Sequence, residues 1–318
     1  MAETFTPQTL IQAIRYYSDL DRCQDILVAA RWPEGVTCPT CGSSSVTYLK
    51  TQKRWQCRGK HPRRQFSVKV GTIFEDSPIK LDKWFTAIWL ITAAKNGISS
   101  YEIHRAIGVT QKTAWFMLHR IRLAMSSGSF DRKLVGTVEV DETYVGGKVA
   151  NMSKSKRSRM KGKSTGFAGK VAVLGLLERN TEGSKVRARV IKNNKKPVLQ
   201  NEVRNHVENG SSIYSDALAS YVGIDAFGYD HDFIDHSEAY VRGAVRTNGL
   251  ENFWSLLKRA IKGTYVAVDP VHLFRYVDEQ AYRFNNRKDT DAGRFAGALD
   301  SVSGKRITYK ELIGTQPA

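Results

Sequence analysis

The chain of 318 residues contains only four cysteines. So small a set excludes a disulfide-stapled scaffold. Three of the four stand at metal-ligand spacing, which suits a reducing compartment better than disulfides do. A long apolar run is also missing. The longest near the N-terminus, Phe85 to Ala94, is too short to span a bilayer and contains Thr86 and Thr92. The opening MAETFTPQTL has neither a basic start nor an apolar signal core, so a cytoplasmic location without a membrane partner is expected. Acidic residues are scarce as well: 31 Asp and Glu against 49 Lys and Arg leave a formal net charge of +18. That excess predicts a polyanionic partner, nucleic acid being the commonest, because the basic residues interleave with aromatics and ordered-looking segments.

The length accommodates one sizeable catalytic domain with one or two small modules. Residues 1–36 read as a helical lead-in, with Leu10, Ile11, Ile14, Tyr17 and Leu20 forming a helical stripe. Residues 37–70 contain two knuckles, Cys38-x-x-Cys41-Gly42 and Cys57 with His61, separated by the short strands VTYLK and RWQC. Four nitrogen and sulfur ligands in two pairs predict a closed, structural zinc site with no position left open for catalysis. Cys23 falls outside the pattern and is expected to be a buried small side chain. Lys50, Lys53, Arg54, Arg58, Lys60, Arg63 and Arg64 surround this ribbon and can reach phosphates.

Residues 79–126 read as three helices. Ser99-x-x-Glu102 has capping-box spacing, Gly108 makes a turn, and Thr110 can cap QKTAWFMLHRIRLAM. Short helix, Gly turn and longer basic helix predict a helix-turn-helix-like DNA-binding segment in which Gln111, Lys112, Thr113 and Trp115 face DNA. His104 and His119 are expected to be surface or satisfied core residues. After a linker at 126–135 the catalytic domain is expected over 134–288, with a C-terminal tail at 289–318.

That domain starts from TVEVDETYVGGK at 137–148, where Val138 and Val140 alternate with Glu139 and Asp141 on a short strand ended by Gly146-Gly147. A basic loop follows, with seven Lys and Arg from Lys154 to Lys170; Lys156, Arg157 and Arg159 are its candidates for following a DNA backbone. Two strands, a helix, a strand ending at Asp216, a helix, another strand and a longer helix complete the order. This α/β sequence fits an RNase H-like mixed-sheet core. On the long helix Glu251, Ser255 and Lys258 share a face, while Phe253, Trp254 and Leu257 turn to a core. An amphipathic helix at 270–287 is expected to pack over the site.

Asp141, Asp216 and Glu251 supply hard oxygen ligands for divalent ions, Mg²⁺ or Mn²⁺, of the kind that promote phosphodiester cleavage. Lys258 can hold a phosphate or a strand end, and Asn248 is an alternative third position because an amide oxygen also ligates metals. Glu139, Glu142, Asp225, Asp230, Asp232 and Asp235 are neighbouring acids without an assigned role.

These pieces together resemble the DDE transposases of bacterial insertion sequences that carry an N-terminal zinc ribbon, the insertion-sequence 1595 (ISXO-like) family. CPTCG with its second knuckle, VEVDETYVGGK, IYSDAL, TNGLENFWSLLKRAIKGTY and EQAYRFNNR occur in family order over most of the chain. The resemblance implies an RNase H-like fold, Mg²⁺-dependent strand cleavage and strand transfer, and binding of terminal inverted repeats. It implies acidic roles for Asp141, Asp216 and Glu251 and a basic accessory role for Lys258. Double-stranded DNA, both element ends and target, and further copies of the chain are the implied partners. Two positions depart from the family pattern: His61 stands where a fourth Cys is usual, and Arg246 where His is frequent. A non-catalytic zinc-ribbon regulator and a nuclease without strand transfer are the alternatives.

Overall fold

The computed structural model describes residues 5–126, 132–147, 154–158, 169–181, 183–216, 219–234 and 247–314, without the side chains of Lys156, Arg157, Ala219 and Ile234. The chain divides into two units, Met1–Ser127 with Lys288–Ala318, and Gly128–Arg287. In the first, a capping box between Thr9 and Gln12 opens α1 (Leu10–Tyr17), and Asp19 caps α2 (Leu20–Arg31). Of the helical stripe only Tyr17 faces the core, joined there by Ala13, whereas Leu10, Ile11, Ile14 and Leu20 are exposed. The large Tyr17 ring decides the helix rotation by packing on Phe85 at 5.3 Å. Cys23 is fully buried, as expected of a small side chain.

A three-stranded antiparallel ribbon follows, β1 (Val46–Leu49), β2 (Arg54–Cys57) and β3 (Gln65–Phe66), with Trp55 between Tyr48 and Phe66. Then come α3 (Leu81–Ala93), α4 (Ser100–Ile107) and α5 (Gln111–Met125). Ser99 and Glu102 form the expected capping box, Gly108 takes the left-handed turn at φ 62°, and Thr110 caps α5. The basic character of α5 points inward. His119, Arg120 and Arg122 are buried, and Arg120 donates to the carbonyls of Ile73 (2.9 Å) and Glu75 (2.7 Å). Lys112 is the exposed residue of α5, with Gln111 and Thr113 half-buried beside it.

The second unit is a five-stranded mixed sheet of β4 (Thr137–Val145), β5 (Val171–Glu178), β6 (Lys185–Ile191), β7 (Ser212–Asp216) and β8 (Asp230–Ile234). Their order is β6-β5-β4-β7-β8, antiparallel from β6 to β4 and parallel from β4 to β8, an RNase H-like arrangement. A short helix, α6 (Lys154–Ser158), lies in the basic insertion after β4. Alternation along the strands supplies two cores. Val138, Val140, Leu174, Leu176 and Ile213 pack on one face with Leu199 and Val203 of α7 (Lys196–His206). Val173, Leu177 and Val186 pack on the other with α8 (Asn248–Arg259) and α9 (Leu273–Asn285). Covered on both faces, β5 carries the near-continuous apolar run VAVLGLL.

Three expectations change here. Between β7 and β8 the described backbone makes single 3₁₀ turns, Ala219–Tyr221 and Asp225–Phe227, and not a helix. The long helix ends at Arg259 and continues as one π-helical turn, Ala260–Tyr265. And α9 packs along β6, where Asn285 closes the sheet edge: its Oδ1 accepts the Val186 N–H at 2.7 Å and its Nδ2 donates to the Val186 carbonyl at 2.8 Å.

Residues 288–318 are more than a tail. They return to the first unit as α10 (Asp291–Asp300) and α11 (Tyr309–Leu312). Phe295 of α10 is the reason: its buried ring lies within 5.6 Å of Tyr17, Phe85 and Trp89 and completes that core.

Candidate active site

On β4, odd-numbered residues face α8, so Asp141 points at that helix. Its cross-strand partner is Gly175 of β5. A Cβ there would stand 2.6 Å from Trp254 Cζ2 and 2.7 Å from Leu250 Cδ2, so only glycine lets α8 lie this close to the sheet. The contact has a polar consequence: Trp254 Nε1 donates to Asp141 Oδ2 at 2.8 Å, while the Glu142 N–H donates to Oδ1 at 2.8 Å. Asp216 is the last residue of β7. Parallel pairing runs Val138 with Ile213 and Glu139 with Tyr214, which brings Asp216 level with Asp141. Asp141, Glu142 and Asp216 each offer an oxygen within 4.8 Å of the others.

The electrostatics match this crowding. Burial, then the charges of Asp216 and Glu251, push the Asp141 carboxyl up to about 6, against the opposing hydrogen bonds from Trp254 and the Glu142 amide. Glu142 rises to about 8, chiefly by burial and then through Asp216 and Asp141, although the Tyr221 hydroxyl donates to it. Close carboxylates held at such cost are relieved by a divalent cation, whose charge reverses the repulsion. The all-oxygen donor set fits a hard ion.

The other ligand group lies in the first unit. Sulfur and nitrogen ligands of a tetrahedral zinc stand about 3.8 Å (S···S) and about 3.5 Å (S···N) apart. Here Cys41 Sγ is 3.7 Å from Cys57 Sγ, and Cys38 Sγ is 3.5 Å from His61 Nε2. His61 Nδ1 donates to the Pro62 carbonyl at 2.7 Å, which aims Nε2 into the group. The Gly59 N–H donates to Cys57 Sγ at 3.3 Å. Burial raises the Cys38 thiol, but the amides of Cys41 and Thr40 and the neighbouring thiols bring it down to about 7, toward the ligating thiolate.

The sequence profile of the ISXO2-like transposase domain matches residues 133–285, and that of the transposase zinc-ribbon domain matches 19–59. An uncharacterised transposase-like protein of Haemophilus influenzae is 30% identical over 102 residues, 32% of this chain and 82% of that protein. The chain belongs to the ISXO2-like transposases. A second relative, an uncharacterised protein in the transposable element ISH50 of Halobacterium salinarum, is 28% identical over 249 residues, 75% of this chain and 82% of its own length.

Within this transposase, Glu251 stands on the first turn of α8, three residues before Trp254. Asn248 begins the same helix and is exposed, and Lys258 is exposed near its end. In the first unit Gln111 Nε2 donates to Ser100 Oγ at 2.8 Å, Thr113 Oγ1 bonds Thr110 Oγ1 at 2.8 Å, and exposed Lys112 places Nζ 4.7 Å from the Tyr309 ring centre. Lys156 and Arg157 lie on α6 with side chains outside the description, and Arg159 lies outside the described residues altogether.

Glu142 has no assigned role in the sequence, and on β4 it alternates with Asp141. In the structure its carboxylate nevertheless lies within 4.8 Å of oxygens of Asp141 and Asp216. The Trp254 contact also escaped sequence reading. Its only trace is the three-residue spacing from Glu251.

Proposed function

We propose that this transposase binds the terminal inverted repeats of an insertion sequence and catalyses Mg²⁺-dependent strand cleavage and strand transfer. The observation that carries the reading is the placement of Asp141 and Asp216 at one level on parallel strands, with α8 tied to Asp141 through Trp254. Asp141, Asp216 and Glu251 would hold Mg²⁺ or Mn²⁺, with Asn248 the alternative to Glu251. When bound, the ions supply charge neutralisation at the scissile phosphate and acidify the attacking hydroxyl.

The protein's part is positional. Trp254 and the Glu142 amide fix both oxygens of Asp141, so the carboxylate would present itself to a divalent ion in one orientation. Water attacks phosphorus at the element end and the 3′-oxygen leaves. That freed 3′-hydroxyl then attacks a target phosphodiester, forming one P–O bond as another breaks. Lys258 offers its cation to a phosphate or strand end. Gln111, Lys112 and Thr113, on the first turn of α5, supply contacts to the repeats, and Lys156, Arg157 and Arg159 follow the backbone. The Cys38, Cys41, Cys57 and His61 group holds a structural zinc. Double-stranded DNA is thus the partner, and a homo-oligomer on DNA joins two element ends. A cytoplasmic location accords with four free cysteines and with the lack, among the described residues, of any helix long and apolar enough to cross a membrane.

A strand-transfer assay on labelled duplexes bearing the element's own ends tests this. Mg²⁺-dependent joined products are expected from the wild type and none from Asp141→Asn or Glu251→Gln. Activity surviving in Glu251→Gln alone would move the third ligand to Asn248. End binding with no cleavage by the wild type would favour a regulator, and cleavage without joining a nuclease.

A further inference from the structure

We infer that Glu139, Arg179 and Tyr214 form a positioning layer beneath the carboxylates, in which Glu139 caps the helix that carries Glu251. The inference rests on the reading of Asp141, Asp216 and Glu251 as the catalytic acids. Glu139 and Tyr214 are register partners on β4 and β7. Each lies one same-face step, two residues, before an acid: Glu139 before Asp141 and Tyr214 before Asp216. Glu139 is only 3% exposed, and both of its oxygens are engaged. Oε1 accepts from Arg179 Nε at 2.8 Å, and Oε2 accepts the N–H of Leu250, the residue preceding Glu251, at 3.0 Å. Arg179 in turn places its guanidinium carbon 4.9 Å from the Tyr214 ring centre. One connected set of side chains therefore touches β4, β7 and α8, the three elements that present the acids.

The start of α8 is built for this contact. Thr247, at its N-cap, makes no side-chain capping bond, so an amide of the first turn would otherwise lack a partner. Glu139 supplies the acceptor from another element, and its charge also suits a helix N-terminus. Gly249 makes the approach possible: a Cβ there would stand 2.8 Å from Glu139 Oε2 and 3.0 Å from Leu177 Cδ1. Glutamine at 139 would keep the shape but offer one acceptor oxygen to two donors, and its amide would oppose one of them.

The test uses the full-length protein. Mn²⁺ is titrated by calorimetry into wild type, Asp141→Asn, Glu139→Gln and Arg179→Lys, beside thermal unfolding and the Mg²⁺ dependence of strand transfer. Glu139→Gln is expected to weaken Mn²⁺ binding roughly 10- to 100-fold. The Mg²⁺ concentration for half-maximal transfer should rise in parallel, with most of the rate recovered at saturating Mg²⁺. A merely structural cap would lower the Tm and leave the Mn²⁺ affinity of the folded protein unmoved, which would overturn the inference. Arg179→Lys carries the same test if Glu139→Gln does not fold. Wild-type protein that binds no Mn²⁺, or Asp141→Asn that binds it like the wild type, would instead overturn the parent reading. Loss of Mn²⁺ binding in Asp141→Asn with wild-type affinity in Glu139→Gln and Arg179→Lys would overturn this inference alone.

Discussion

The Cys38–His61 group and the Asp141–Glu142–Asp216 group both gather atoms that could hold a metal, and they are assembled in opposite ways. Cys38 and His61 are 23 residues apart, joined by one small ribbon whose own turns aim the ligands. Asp141 and Trp254 are 113 residues apart, and their contact needs a sheet, a helix and a glycine between them. A local cluster depends on its metal for order, whereas a dispersed one depends on the fold. The difference predicts how each should fail.

The largest effect is expected at the local site. Structural zinc contributes about 10–16 kcal/mol in zinc-finger peptides, so Cys38→Ser or a strong chelator should unfold the ribbon and impair end binding. Metal analysis and hydrogen exchange would check this, and full zinc content in the variant would refute the ligand role. The carboxylate site should lose chemistry and keep its fold. Asp141→Asn should reduce strand transfer by at least about 1,000-fold, or about 4 kcal/mol of barrier, with end binding retained. A rate within tenfold of the wild type would remove Asp141 from the mechanism.

Two smaller effects sharpen the contrast. Gly175→Ala should push α8 off the sheet, costing about 1–3 kcal/mol and slowing transfer while zinc content stays whole. An unchanged Tm would mean that the close approach of Trp254 and Leu250 to Gly175 does not matter. The smallest effect concerns pH. Asp141 and Glu142 titrate higher when folded, at about 6 and about 8, than their ordinary 3.8 and 4.5. Across that window the unfolded chain holds fewer protons than the folded one, so metal-free stability should fall as pH rises from about 4 to about 8. The drop should be at least about 1.4 kcal/mol, the worth of one pKa unit, and less than the two shifts would give separately, since the pair shares its protons. Glu142→Gln should flatten it and Mg²⁺ should offset it; a profile that rises over this range would contradict the burial of these acids.

Local pattern carried much of the fold. Capping residues at Ser99 and Thr110, the turn at Gly108 and the knuckle spacing are short-range signals, and the elements they mark formed where expected. Alternation placed β4, and with it the acid that faces α8. Rotation and pairing were harder to read. Ile11, Ile14 and Tyr17 stand on one helical stripe, yet of these only Tyr17 reaches the core. The segment after residue 288 carried no visible assignment because Phe295 has meaning only beside Tyr17, Phe85 and Trp89.

By itself the sequence determined the knuckle spacing, the order of the strands in the second unit, and the positions of the candidate acids, since each depends on spacing within a few residues or on the succession of elements. Tertiary structure alone decided that Glu142 joins Asp141 and Asp216, that Gly175 and Gly249 admit α8, and that Glu139 meets Leu250. Those contacts arise where elements far apart in sequence pack, and no periodicity along the chain encodes the distance between them.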